Sequence, residues 1–240
     1  MRKFAVLSIL LMVILAVFVP SAGAASGKST VYVVHGIPGK DLGLASNDLP
    51  VDIKVGGACA ITNFKFGTIA GPVQLPAGTY KIEISLSDGS CGNAPVIAEN
   101  VLLGPSENLS LVAYLREGGT PGLVKFTNYV GPLSNNRSRV LIHHTANAPR
   151  VDITLQRPSL STPTYKFNNV ANAYVQYGQI NRTIPNGDWQ VRIFPAGSSA
   201  PVFGPLSLNL TSKKIYLVYA VGSLKNNTFT LLAKAIDPAY

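Results

Sequence analysis

The sequence predicts an all-β protein: two tandem antiparallel β-sandwich domains, 28–130 and 139–240, behind a cleaved signal peptide, 1–24. Three observations carry this. The N-terminus is basic, then apolar, then rich in small residues. Motifs of the first half of the remaining chain return in the second half. Inside each copy, apolar and polar residues alternate with period two, the spacing of a strand half-buried in an antiparallel sheet.

Arg2 and Lys3 form the basic head, Phe4 to Val19 is apolar except for Ser8, and Pro20 leads into Ser21-Ala22-Gly23-Ala24. That is the layout of a secretory signal with cleavage after Ala24. This 16-residue run would rise only ~24 Å as a helix, short of the ~30 Å hydrocarbon core. No Cys follows the small residues, and the chain closes on Asp237-Pro238-Ala239-Tyr240. The expectation is a secreted, periplasmic or extracellular protein with no stable membrane insertion after cleavage.

Self-comparison gives the repeat. Val31 to His35 matches Arg139 to His143, and Pro50 to Ile53 matches Arg150 to Ile153. Leu75 to Tyr80 matches Ile184 to Trp189, Pro95-Val96 matches Pro201-Val202, and Ser106 to Leu115 matches Ser212 to Val221. The largest length difference is about eight extra residues in the first copy, within Gly39 to Leu49. Tyr80, Ile82, Ile84 and Leu86 alternate with polar residues, as do Trp189, Val191 and Ile193. Pro76-Ala77-Gly78 and Pro185-Asn186-Gly187 predict tight turns. Val51 to Val55, Leu109 to Leu115, Leu123 to Phe126, Val151 to Leu155, Ile215 to Val221 and Phe229 to Ala233 predict further strands. The polar stretch Gly131 to Ser138 reads as the linker.

Cys59 and Cys91 are an even pair in an oxidising compartment, so a disulfide is expected between them. Two thiols alone make a poor metal site. Charge is uneven. Residues 31–130 hold 6 basic and 8 acidic side chains, net −2, whereas residues 131–240 hold 11 and 3, net +8. A basic extracellular domain is drawn to anionic envelope polymers, lipid head groups or acidic glycans, and a surface protein is the other candidate partner. Nothing resembles a nucleic-acid recognition module or a clustered basic stripe.

At the repeated motifs the chain resembles a bacterial secreted family, domain-of-unknown-function family 4397. The first copy carries His35, Val51, Asp52, Phe66, Gly67 and Leu75 to Tyr80 of its pattern. The second carries His143, Ala148, Pro149, Val151, Asp152 and Leu217 to Gly222. It departs at the insertion between His35 and Asp52, and at Asn147, where the family usually has Asp. The resemblance implies an immunoglobulin-like sandwich and a surface or extracellular location. It implies no activity.

His35 with Asp52, and His143 with Asp152, are the candidate site residues. A catalytic or metal role competes with a structural one: a His closing the first strand and an Asp holding turn amides. Recurrence in both copies favours the structural role. His144 is left over, and neighbouring strand residues face opposite ways, so it does not join His143 on one metal. The sequence has no nucleophile elbow, zinc-protease signature or phosphate loop. Asp88 to Gly92 reads as a hairpin turn beside the disulfide. The expectation is no enzyme, no catalytic residue, no metal and no cofactor. The chain is expected to be a binding module, or alternatively a spacer or subunit of a surface assembly. A third reading is a lectin-like module using exposed Tyr, Trp and Asn.

Overall fold

The computed structural model describes residues 27–162, 164–173 and 178–239; the expected signal peptide, 1–24, lies outside them. The described chain is all-β. The first unit contains β1 (Lys28–His35), β2 (Val51–Val55), β3 (Ala58–Phe64), β4 (Ile69–Pro76), β5 (Gly78–Leu86), β6 (Pro95–Leu103), β7 (Asn108–Leu115) and β8 (Pro121–Thr127). The second contains β9 (Arg137–His144), β10 (Val151–Gln156), β11 (Tyr165–Val170), β12 (Gln179–Pro185), β13 (Gly187–Pro195), β14 (Phe203–Leu210), β15 (Ile215–Val221) and β16 (Thr230–Ile236).

The units share one topology. Sheets β4-β1-β7-β8 and β3-β2-β5-β6 build the first; β12-β9-β15-β16 and β11-β10-β13-β14 build the second. Each strand of the second unit occupies the place of the strand eight earlier. β1 runs parallel to β7, and β9 to β15; the other pairings are antiparallel. The Pro-x-Gly turns are corners where the chain leaves one sheet for the other, from β4 to β5 and from β12 to β13. There the Tyr80 hydroxyl donates to Pro76 O at 2.9 Å, and Trp189 Nε1 donates to Pro185 O at 3.0 Å. The aromatic four residues past the Pro thus ties down each corner.

Each sandwich has its own core. Val31, Ile53, Ile82, Ile84, Leu109 and Leu111 fill the first. Ile153, Leu155, Trp189, Val191, Ile193 and Leu210 fill the second. A third core lies between the units. Tyr32, Val34, Val112 and Phe126 from the first sandwich meet Leu141, Ile215, Leu217, Tyr219 and Val221 from the second. The four sheets therefore form one stack. The physical reason is in the strands themselves: β7 and β15 are near-continuous apolar runs, β1 and β9 carry shorter ones at Val31 to Val34 and Val140 to Ile142, and a strand apolar on both faces needs cover on both. In β1, Val31 faces the first core while Tyr32 and Val34 face the junction.

Polar contacts fasten the same junction. Ser110 gives its one hydroxyl proton to Asn128 Oδ1 at 2.9 Å, so the Tyr219 hydroxyl donates to Ser110, at 2.6 Å. The inserted loop of the first unit reaches across. Asp41 Oδ1 accepts from Ser223 Oγ at 2.8 Å, Asn226 Nδ2 at 2.9 Å and Thr228 Oγ1 at 2.9 Å. The expected linker is a packed strap: Leu133 sits in the junction core, Ser138 is fully buried inside β9, and Arg139 Nη1 donates to Tyr129 O and Gly131 O.

Candidate functional site

Asp52 stands on β2 with its side chain on the outer face of its sheet, yet it is fully buried. The β5–β6 loop folds over it. Oδ1 accepts from the Asn63 amide at 2.9 Å and the Ser87 hydroxyl at 2.5 Å. Oδ2 accepts from the amides of Asp88 at 3.1 Å, Gly89 at 3.0 Å and Cys91 at 3.1 Å. Burial alone raises this carboxyl. The Ser87 hydroxyl and the amides of Asn63, Cys91 and Asp88 outweigh it and hold the group below the ordinary carboxylate range. Asp152 repeats the arrangement with fewer donors: Asn169 N at 2.6 Å and Gly197 N at 2.9 Å, which also lower it. The partners correspond between units. Asn63 (φ 53°) and Asn169 (φ 58°) are left-handed, a conformation Asn tolerates, and Gly89 (φ 77°) and Gly197 (φ 78°) are too.

Cys59 and Cys91 form a disulfide, with Cα atoms 5.8 Å apart. It pins the edge strand β3 to the loop that closes over Asp52. The second unit has no counterpart.

The histidines require a correction to the sequence alignment. His35 Nε2 lies 2.7 Å from Leu49 O, and His144 Nε2 lies 3.2 Å from Pro149 O. Each carbonyl stands two residues before the Val-Asp pair. The backbone agrees: His35 N donates to Thr68 O and His144 N to Gly178 O, while Gly36 N donates to Ala113 O and Thr145 N to Ala220 O. His144, not His143, is the counterpart of His35. His143 takes the place of Val34, and a shift of one residue turns a strand side chain to the other face. Its ring lies in the junction, 4.4 Å from the Phe126 ring and stacked 4.9 Å from Tyr219. Neither ring nitrogen has a hydrogen-bond partner. Burial pushes His143 down to about 3 and His35 down to about 4, and it lowers His144. All three are neutral at pH 7. No hydrogen bond joins either His to its Asp: the carboxylates are filled by amides, and the rings face a carbonyl or other rings. Among the described residues, no three His, Cys, Asp or Glu side chains cluster to hold a metal.

Several cations of the second unit serve its frame. Arg157 lies 4.1 Å over the Trp189 ring and donates to Asn186 O and Asp188 O. Arg139 binds the strap, Arg150 Nη1 donates to Asn169 O, and Lys214 pairs with Asp237 at 2.5 Å. The net charge in the sequence therefore overstates what faces a partner. Sequence reasoning missed the Asp41 contacts, because a loop insertion carries no sign of what it will touch.

No curated protein matches this chain. Similar solved structures include the Bacillus anthracis TIE protein, at 13% identity and TM-score 0.26, covering 82% of this chain and 34% of that one. The chain thus spans about a third of that protein's length. Two others are candidate cell adhesion proteins. The one from Bacteroides ovatus has 9% identity and TM-score 0.30; the one from Bacteroides fragilis has 11% and 0.23. Each match covers 90% of this chain and 99% of the other. At these scores no residue role carries over. The family model of a domain of unknown function, DUF4397, matches residues 29–154, from β1 into β10 and more than half of the chain, and the chain belongs to that family.

Proposed function

We propose that this chain is an exported, non-enzymatic surface module made of two tandem copies of the family's domain, immunoglobulin-like in form. The two copies act as one rigid body and present the second unit to an anionic partner outside the cell. The observation that carries this reading is the placement of ionisable groups. The buried ones, Asp52, His35, His143 and His144, are closed off by the frame, whereas Lys166 and Arg182 are exposed on the second unit. Sites of chemistry need a nucleophile or base open to substrate.

The test is retention of the mature chain on an anionic polymer across a salt series. Retention that weakens with salt supports the reading, and absent or salt-insensitive retention overturns it. Fractionation of producing cells tests export: the mature N-terminus should follow Ala24.

The second reading is a spacer or subunit of an extracellular assembly, favoured by the shared core, which fixes the distance between the two ends. Sedimentation at high concentration separates the two readings, since a strict monomer counts against assembly through strand edges.

A further inference from the structure

The outer face of sheet β11-β10-β13-β14 differs from its counterpart in the first unit. In the second unit, Lys166, Thr154 and Arg192 stand in register across β11, β10 and β13. The next outward row is Gln156, Gln190 and Ser207. Strands lie ~4.8 Å apart, so Lys166 and Arg192 flank Thr154 with Cα atoms roughly 10 Å apart. Arg192 donates from Nη1 to Gln156 Oε1 at 3.1 Å and from Nη2 to Gln190 Oε1 at 3.3 Å. Two neutral carbonyls thus hold the guanidinium in place, and it forms no ion pair with a carboxylate among the described residues. Two acids share this face: Asp152 has its oxygens on the amides of Asn169 and Gly197, and Asp188, beyond Gln190 on β13, accepts from Asn209 Nδ2 at 2.6 Å. Arg182, 5.8 Å over the Tyr165 ring, adds a cation beside β11.

In the first unit the equivalent positions neutralise one another. Lys54 stands where Thr154 does and Glu83 where Arg192 does, and Lys81 pairs with Glu83 at 2.7 Å. The second observation is Thr154 itself. It is 8% exposed, points outward between the two cations, and its Oγ1 has no hydrogen-bond partner. A buried hydroxyl without a partner costs free energy unless something else supplies one.

From this arrangement we infer that the outer face of the second sandwich is a binding site for an acidic polysaccharide. A sugar carboxylate lies between Lys166 and Arg192, and Thr154 with Gln190 and Ser207 meets the sugar hydroxyls. The inference rests on the anionic-partner reading above and gives it a place and a ligand class. A polysaccharide fits better than nucleic acid because the two rows hold amides and hydroxyls, and Phe194, opposite Asp152 in the adjoining row, is a lone ring rather than the series of stacking platforms that successive bases need.

The experiment measures binding of the mature chain to polygalacturonate, with dextran as the neutral polymer and duplex DNA as a second polyanion. The double variant Lys166→Gln/Arg192→Gln is expected to bind polygalacturonate about tenfold more weakly. The charge-matched Lys213→Gln/Lys225→Gln stays within about twofold, because both lysines lie away from this face. Arg192→Lys keeps the charge but loses the fork and falls between them. Thr154→Val weakens binding without lowering Tm, which a merely structural hydroxyl would not do. Equal weakening by both double variants overturns the site, as does DNA bound as tightly as polygalacturonate. If the wild-type chain binds and the Lys166/Arg192 variant binds equally well, the site falls while the anionic reading stands. If the wild-type chain binds neither polyanion, both fall.

Discussion

In the first unit the Asp52 carboxylate takes five donors and a disulfide locks the loop over it; in the second, Asp152 takes two and has no such lock. The strand order around both is the same. One frame therefore tolerates two ways of closing its outer sheet. A shut loop leaves the first unit's outer face neutral and internally paired. The looser closure of the second goes with a face on which Lys166 and Arg192 enter no ion pair among the described residues. What the units share is the junction, where four strands are buried on both faces.

The comparison can be broken first at the shared part. Leu217 is fully buried in the junction. Leu217→Ala should cost about 4 kcal/mol by loss of transfer energy and cavity formation. Calorimetry should show both units losing stability, and an effect confined to the second would mean that they unfold separately. Next comes the lock of the first unit. Cys59→Ser/Cys91→Ser opens a loop with a sequence separation of 32 and should cost about 3.5 kcal/mol in urea unfolding. The two carboxylates give the sharpest contrast. Asp52→Ala strands five donors in a buried site and should cost about 3 kcal/mol, against about 1 kcal/mol for Asp152→Ala. Equal costs would show that the additional donors contribute nothing.

The remaining expected effect is a pH dependence. Burial lowers His143 from 6.5 to about 3, so the unfolded chain takes up a proton that the folded chain refuses. Stability therefore falls as pH drops from 6.5 towards 3, and at pH 5 this one group costs about 2 kcal/mol. His143→Leu should flatten that slope and raise stability at pH 5; an unchanged slope would place the titration elsewhere. The lowered Asp52 and Asp152 act in the same direction at more acid pH, because their stabilisation is lost as they protonate.

Strands with one apolar face were legible in the sequence, because period two records which side meets the core: Tyr80 to Leu86 and Trp189 to Ile193 lie in β5 and β13. The edge strands β3, β4, β6, β11, β12 and β14 were not. They are largely exposed, and β4 and β14 are interrupted by Gly-Pro, so little apolar pattern marks them. The candidate aspartates stood out by recurrence, but their donors come from loops distant in sequence. His143 was set against His35 because both end an apolar run, and residue type alone does not register a shift of one.

The sequence by itself determined the all-β class, the repeat, the likeness of the two corners and the pairing of Cys59 with Cys91. Each of these follows from local pattern or from residue inventory. The tertiary structure alone decided that the two sandwiches share a third core, that the inserted loop fastens them through Asp41, and that His143 lies inside the junction. An apolar run such as Ile215 to Val221 states that both of its faces avoid water. It does not state what covers the second face, because that partner comes from a strand about a hundred residues away and is chosen by packing.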